Sequence, residues 1–350
     1  MIFGSDNMVG ASDAVMAALL EANAGTAPSY GADPWTERAG RLLNETFERE
    51  VTAFFVATGT AANCLALAAL TRPWEAVLCH AQAHIRVDES SGPEFFTGGA
   101  RLIALPDRAG KLTADLLAAE LDRLPARAPH NVLPAVLSLT QASECGLVYS
   151  VAEVTALAAE AHARGLAVHM DGARFANALV ATGASPAEMS WKAGVDVLCL
   201  GASKNGALAC EAVIFFDAEK AAAFANIRKR GGHLISKGRL FGAQCCGWLE
   251  GGDWLRLAAH SNAMARRLGE GLARLPGVSL GWPVEANEVF PLLPVAMIER
   301  LRAAGAYFYD WPAALLPVTP GPDEAGIRLV TSFRTTADEV EAFLSAASAA

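Results

Sequence analysis

Short apolar runs that end in small polar turns recur through the first two thirds of the chain, at residues 53–56, 76–79, 131–139, 167–170, 196–200 and 213–216. Runs of this kind predict strands buried on both faces, as in a mainly parallel sheet. Segments of helical spacing stand between them. The segment opened by Thr58-Gly59-Thr60 continues to Leu70 and is stopped by Pro73. Ser150-Val151-Ala152-Glu153 is a capping box for a helix that closes at Gly165. This alternation from Ala53 to Phe216 predicts an α/β fold with helices on both faces of the sheet.

The two ends of the chain follow other patterns. An amphipathic helix is expected near residues 12–23, capped by Ser12 and presenting Val15, Leu19 and Leu20 on one face, and a second over 36–49. Past about Gly252 a long helix over 254–275 ends at Pro276, residues 277–280 and 327–330 read as antiparallel strands, and Thr336 with Glu339 opens a closing helix. The expected division is a large domain with an N-terminal arm, 1–250, and a small C-terminal α+β domain, 251–350.

Composition narrows the function. With 53% apolar and 19% charged residues, the chain has ample material for a core and no disorder signature. A formal charge of -9 and the lack of a long basic run argue against nucleic-acid and anionic-membrane surfaces. No apolar run is long enough to span a bilayer, and the first residues do not read as a signal peptide. Cys64, Cys79, Cys145, Cys199, Cys210, Cys245 and Cys246 lie in apolar segments without zinc-ribbon spacing. They read as core thiols of a reducing compartment, with no metal site, and the expected location is the cytoplasm.

The candidate chemistry sits at the ends of the predicted strands. Asp171 and Arg174 follow the run at 167–170, and Lys204 follows the run at 196–200. One helix and one strand fit between Asp171 and Lys204, which places the acid and the amine on one rim of the sheet, where open α/β sheets bind ligands. A lysine that forms a Schiff base and a carboxylate that keeps a pyridine nitrogen protonated suit pyridoxal phosphate. The Gly59-Thr60 turn at a helix start suits its phosphate. The loop over 80–92 adds His84 and Glu89, and Arg228-Lys229-Arg230 is the densest basic cluster. Gly269 and Gly271 begin a G-x-G-x-x-G pattern, but Arg274 takes the last place within a helical segment, so a dinucleotide reading fails.

Taken together, Ser5-Asp6-Asn7, Tyr30-Gly31 with Asp33, Gly59-Thr60, His84 with Glu89, His169-Met170-Asp171-Gly172-Ala173-Arg174, Ser203-Lys204 and Arg328-Leu329-Val330-Thr331 resemble the low-specificity L-threonine aldolases. These belong to the aromatic amino acid β-eliminating lyase/threonine aldolase group of fold-type-I pyridoxal phosphate enzymes. The resemblance implies a mainly parallel seven-stranded sheet with a small C-terminal domain. It implies that Lys204 bonds the cofactor aldehyde, Asp171 pairs with the ring nitrogen, and Gly59 and Thr60 bind the phosphate beside Ser203. His84 would stack on the ring. Ser5, Tyr30, Arg174 and Arg328 would hold the substrate, with Arg174 also beside the cofactor. A homodimer or homotetramer with shared sites is implied, in which Arg228 or Arg230 reaches the partner's phosphate. In one departure, the loop after the fourth strand reads Thr140-Gln141-Ala142-Ser143-Glu144 where many relatives carry a second histidine. Gln141 or a water is expected to take over its task.

The implied reaction is retro-aldol cleavage of L-threonine or L-allo-threonine, and of other β-hydroxy-α-amino acids such as phenylserine, to glycine and an aldehyde, with His84 or a water it holds as base. The alternatives are a β-eliminating lyase, racemase or aminotransferase on the same scaffold, since the cofactor carries the chemistry and its surroundings choose the bond that breaks.

Overall fold

The computed structural model describes residues 1–124 and 127–349; Ala350, the last residue of the expected small domain, lies outside the described residues. The larger sheet has seven strands: β1 (Thr52–Val56), β2 (Glu75–His80), β3 (Arg101–Leu105), β4 (Leu133–Thr140), β5 (Ala167–Gly172), β6 (Val197–Gly201) and β7 (Glu211–Phe215). Their order is β1-β7-β6-β5-β4-β2-β3. All neighbours from β6 to β3 are parallel, while β7 runs antiparallel to both β6 and β1. Six strands, β1 to β6, therefore run the same way and deliver their carboxyl ends to one edge.

Alternate residues of the central strands enter different cores. Leu198 and Leu200 pack with Val168, Met170, Leu157 and Trp248 on one face, whereas Val197 and Cys199 pack with Val213, Leu65 and Phe224 on the other. Burial on both faces is what the unbroken apolar runs predict. Strand β3 and the helix Ala114–Arg123 have no counterpart in the sequence reading. β3 is a short edge strand led by an exposed arginine and only partly buried, so it lacks the run of a central strand. The stretch after β2, expected as a polar loop over 80–92, contains the one-turn helix His84–Val87.

The second sheet is antiparallel, built from β8 (Ser279–Leu280), β9 (Glu288–Val289), β10 (Pro291–Pro294), β11 (Tyr309–Asp310) and β12 (Glu324–Val330). The segments 277–280 and 327–330 each carry strand, as expected; the first pairs with β10, while 327–330 pairs with β11 and β9. Phe3 is fully buried among Leu268, Leu293, Ile327 and Phe343 of this second core. Its N–H donates to Tyr307 O at 2.8 Å and its carbonyl accepts from Val330 N at 2.8 Å. The N-terminal arm is thereby tied to the small sheet, which carries residues 4–7 toward the edge where the strands of the large sheet end. The helix Asp253–Leu272 joins the two bodies, with Trp254 and Ala258 in the large core and Ala265 and Leu268 in the small one.

Candidate active site

A cavity of about 410 Å³ opens at the carboxyl edge of the large sheet. Lys204 enters it from the short 3-10 turn Ser203–Asn205 that follows β6. A side chain at Gly201 would place its Cβ 2.7 Å from Ala173 Cα, so only glycine lets the turn that carries the lysine pack against the turn after Asp171. Asp171, at the end of β5, is 5% exposed. Its Oδ1 accepts from Ala173 N at 3.0 Å and its Oδ2 from Asn63 Nδ2 at 2.8 Å. Lys204 lines the same cavity and has no hydrogen-bond or ion-pair partner among the described residues.

Asn63 starts a polar chain along one wall. Its Nδ2 also donates to Glu89 Oε1 at 3.0 Å, and that oxygen lies 2.9 Å from His84 Nδ1. The Glu89 side chain is wholly buried, whereas the imidazole is 38% exposed. The bond from Glu89 raises the pKa of His84, with the charges of Asp171 and Glu89 acting in the same direction against burial and Lys204. The His84 N–H donates to Glu144 Oε1 at 2.6 Å, while Glu144 Oε2 is closed off from solvent and has no hydrogen-bond partner among the described residues. Burial, aided by the Asp171 charge, pushes the Glu144 carboxyl up to about 7 despite the bond from His84 N–H. Glu211, at the start of β7, is likewise pushed by burial to about 7, opposed by Ser203 and Lys204. Beneath Asp171, the buried His169 lies between Ser138 Oγ at 2.9 Å and Cys199 Sγ at 3.3 Å. Its burial lowers it to about 4, so it stands neutral.

The far end of the cavity is the start of the helix Gly59–Leu70. Thr58 Oγ1 caps it by accepting from Ala61 N at 3.1 Å, and the first-turn N–H groups of Gly59 and Thr60 have no intrahelical acceptor. A Cβ at Gly59 would project into open space rather than against protein. This end suits an anion.

Arg174 lines the cavity too, but its guanidinium is engaged. Nε and Nη2 donate to Asp6 at 2.8 and 3.1 Å, and Nη1 lies 3.3 Å from Glu288 Oε2. Asn287 Nδ2 adds a bond to Asp6 Oδ2 at 3.0 Å. Burial alone would raise the Asp6 carboxyl; the Arg174 and Lys204 charges and these bonds outweigh it and hold it low.

Of the residues expected from sequence, Lys204, Asp171, His84, Arg174, Ser203, Gly59 and Thr60 line this one cavity. Ser5, Tyr30, Arg230 and Arg328 do not. Ser5 instead accepts from Asn7 N at 3.1 Å and caps the turn Asp6–Met8. Tyr30 is half exposed, with the Lys229 ammonium 5.2 Å from its ring. Arg230 is exposed at the end of the helix Phe224–Arg230, and Arg228 donates to Phe55 O at 3.3 Å. Arg328 stands over Trp311 and Tyr309 and reaches Gly4 O at 3.5 Å. Gln141 does not take the place expected of it. It is fully buried, and its amide holds Tyr149 N and Tyr149 O, because the turn after β4 sends this side chain into the core. Its neighbour Glu144 lines the cavity instead. Asn7 of the Ser5-Asp6-Asn7 motif also lines it, as do Asn63 and Glu211, for which the sequence alone predicts no role. Asn63, one helical turn past Gly59, is the one that spacing would have found, since positions four apart share a face.

The sequence model of the beta-eliminating lyase family matches residues 3–293. A low specificity L-threonine aldolase of Pseudomonas aeruginosa is 44% identical over 97% of this chain and 94% of its own. One from a Pseudomonas strain is 43% identical over 88% of this chain and 89% of its own. Among solved structures, the threonine aldolase of Leishmania major superposes with a TM-score of 0.91 at 29% identity, covering 99% of this chain and 98% of that one.

Proposed function

We infer the activity from one premise: the chain belongs to the beta-eliminating lyase family, and over nearly its whole length it matches members that bear the name threonine aldolase. It is a lyase of the fold-type-I, pyridoxal phosphate-dependent kind, cleaving L-threonine and L-allo-threonine to glycine and acetaldehyde. The observation that carries this reading is the pairing of an unpartnered Lys204 with the buried, doubly hydrogen-bonded Asp171 in one cavity.

The residues present fit the cofactor at three points. Lys204 offers a free amine for its aldehyde, Asp171 a fixed carboxylate for its ring nitrogen, and Gly59 with Thr60 unpaired N–H groups and a hydroxyl for its phosphate. When bound, pyridoxal phosphate bonds the substrate amine and supplies a cationic ring that accepts the electron pair of the breaking Cα–Cβ bond.

The chain's own residues do the rest. Asp171 would keep the ring nitrogen protonated, with its carboxylate held in place by Asn63 and the Ala173 N–H. His84, held by Glu89, would cover the ring and donate toward the substrate. Arg174 orients the substrate carboxylate at the edge of the arm, where Asp6 and Glu288 temper its charge, and Arg328 lies behind the same arm at Gly4. A base must take the β-hydroxyl proton, and Cα must receive one to leave as glycine. The range over larger β-substituents such as phenylserine belongs to the same proposal, as does a division into domains at residues 1–250 and 251–350.

No helix of the described residues is long and apolar enough to cross a membrane. All seven cysteines are buried and free, which supports a reducing, cytoplasmic setting. Among the described residues, the basic side chains that line the cavity are His84, Arg174 and Lys204, each with another task in this reading, which supports a homodimer or homotetramer that brings Arg230 across an interface to the phosphate.

The test is direct. Purified protein should show cofactor absorbance and release glycine from L-threonine. In the Lys204→Ala variant, borohydride should trap no cofactor and glycine release should vanish. Full glycine release by that variant overturns the reading.

A further inference from the structure

We propose that Glu144 is the base that takes the β-hydroxyl proton of the substrate, with His84 acting beside it as a hydrogen-bond donor. This rests on the threonine-cleaving reading and names the residue that performs its proton step. Three observations on the same loop carry it. Glu144 lines the cavity beside His84, and its Oε1 accepts from the His84 N–H at 2.6 Å. Its Oε2 is closed off from solvent and lacks any partner among the described residues. An orphaned carboxylate oxygen costs about 1–3 kcal/mol or more, which a turn of the carboxyl toward a substrate hydroxyl in the cavity would offset.

The chemistry of the neighbours separates the two candidates. His84 is tied through Nδ1 to the buried Glu89, which favours its protonated form and makes it a poor acceptor for a proton. Glu144 faces Asp171, His84 and Arg174, together with the thiols of Cys79 and Cys145 and the Tyr149 phenol. Burial and Asp171 bring it to about 7, the range in which a general base works best near neutral pH.

The step balances without any oxidant or reductant. The β-hydroxyl proton passes to the Glu144 carboxylate, the O–H pair becomes the second bond of the aldehyde carbonyl, and the Cα–Cβ bond breaks. Its electron pair is captured by a proton at Cα, giving glycine.

The experiment uses the cofactor-loaded Glu144→Gln variant, because a glutamine oxygen still accepts from the His84 N–H. Expected are unchanged cofactor absorbance and cofactor affinity, glycine α-proton exchange with deuterium oxide within about threefold of wild type, and a fall of at least about 100-fold in kcat for L-threonine. The wild-type rise in kcat/KM as pH increases through neutrality should disappear. Glu144→Ala should regain part of its rate with added formate. Threonine cleavage within about threefold of wild type, retention of the neutral pH limb, or loss of cofactor binding in Glu144→Gln would overturn the proposal, the last by showing a structural role. Absence of glycine release from the wild-type enzyme would instead defeat the underlying reading.

Discussion

Asn63 Nδ2 stands 2.8 Å from Asp171 Oδ2, joining the acid at the end of β5 to a helix that begins at the opposite wall of the cavity. The same amide nitrogen reaches Glu89, so Asp171 and His84 are held by one chain of bonds through Glu89 and Asn63. The acid proposed to pair with the cofactor's ring nitrogen and the imidazole proposed to cover the ring are therefore set relative to one another before any ligand enters.

Removing that link should loosen the cofactor. In Asn63→Ala, Asp171 keeps its backbone bond from Ala173 but loses the side-chain donor, and the buried Glu89 loses one of its partners. Loss of a buried charge-assisted bond of ~1.5–3 kcal/mol corresponds to a roughly 10- to 100-fold weaker cofactor affinity. Titration of the stripped protein followed by absorbance checks this, and an unchanged affinity would remove Asn63 from the role.

The buried pair at the arm is the second structural commitment. Asp6 is 1% exposed and bonds Arg174 twice, so Asp6→Ala leaves a buried guanidinium with Glu288 alone. Breaking a buried pair from one side costs about 3–5 kcal/mol, most of it the cost of the stranded charge. Urea unfolding should show a loss of that order in Asp6→Ala. Arg174→Leu combined with Asp6→Leu and Glu288→Leu, which strands no charge, should be much milder for stability while abolishing substrate binding.

These examples show why part of the site was legible in the sequence and part was not. Asp171 and Lys204 end buried strands, and the period of the apolar runs announces where such strands stop, so the rim position follows from local pattern. Asn63, Glu211 and Asn7 sit in an apolar helix, at the first position of a strand and in a turn, where nothing local separates a cavity-lining residue from a cap. Glu144 and Gln141 exchange roles because the turn after β4 decides which of them faces the core, and turn geometry depends on the packing of Tyr149 and Met189. Arg174 matches the motif, yet its two carboxylate partners come from residues 6 and 288, separations that periodicity does not see. The two-residue strands β8, β9 and β11 are too short to carry any period at all.

Glu211 gives the stripped protein a pH signature. Its folded value of about 7 lies above the ordinary 4.5, so the folded state binds the proton more tightly than the unfolded chain. The stabilisation is fully present below about pH 4.5 and is lost as pH rises to about 7, on the order of 3 kcal/mol at ~1.4 kcal/mol per pH unit. Glu211→Gln, which keeps an oxygen for Ala202 N, should match wild type near pH 4.5 and become the more stable protein at pH 8. Urea midpoints at the two pH values test this, and a constant difference between the proteins would refute it.

Glu89 should set the upper pH limit of activity through His84. The bond to Glu89 raises the imidazole pKa, so the protonated, donating ring persists to higher pH than a free histidine would allow. In Glu89→Gln the carboxylate charge and its acceptor strength are removed, and the pKa of His84 falls. If His84 acts as a donor, the alkaline limb of kcat/KM moves to lower pH in this variant, while the acid limb assigned to Glu144 stays in place. For stability the sign is the same: a raised histidine value stabilises fully below its unfolded value near 6.5 and is lost as pH rises through the folded value. Glu89→Gln should therefore destabilise the protein at pH 5.5 more than at pH 9. The limb position follows from pH-rate profiles, and the His84 titration itself from the ring proton resonances. An alkaline limb that does not move, with a His84 titration that does, would show that the ring's charge plays no part in turnover.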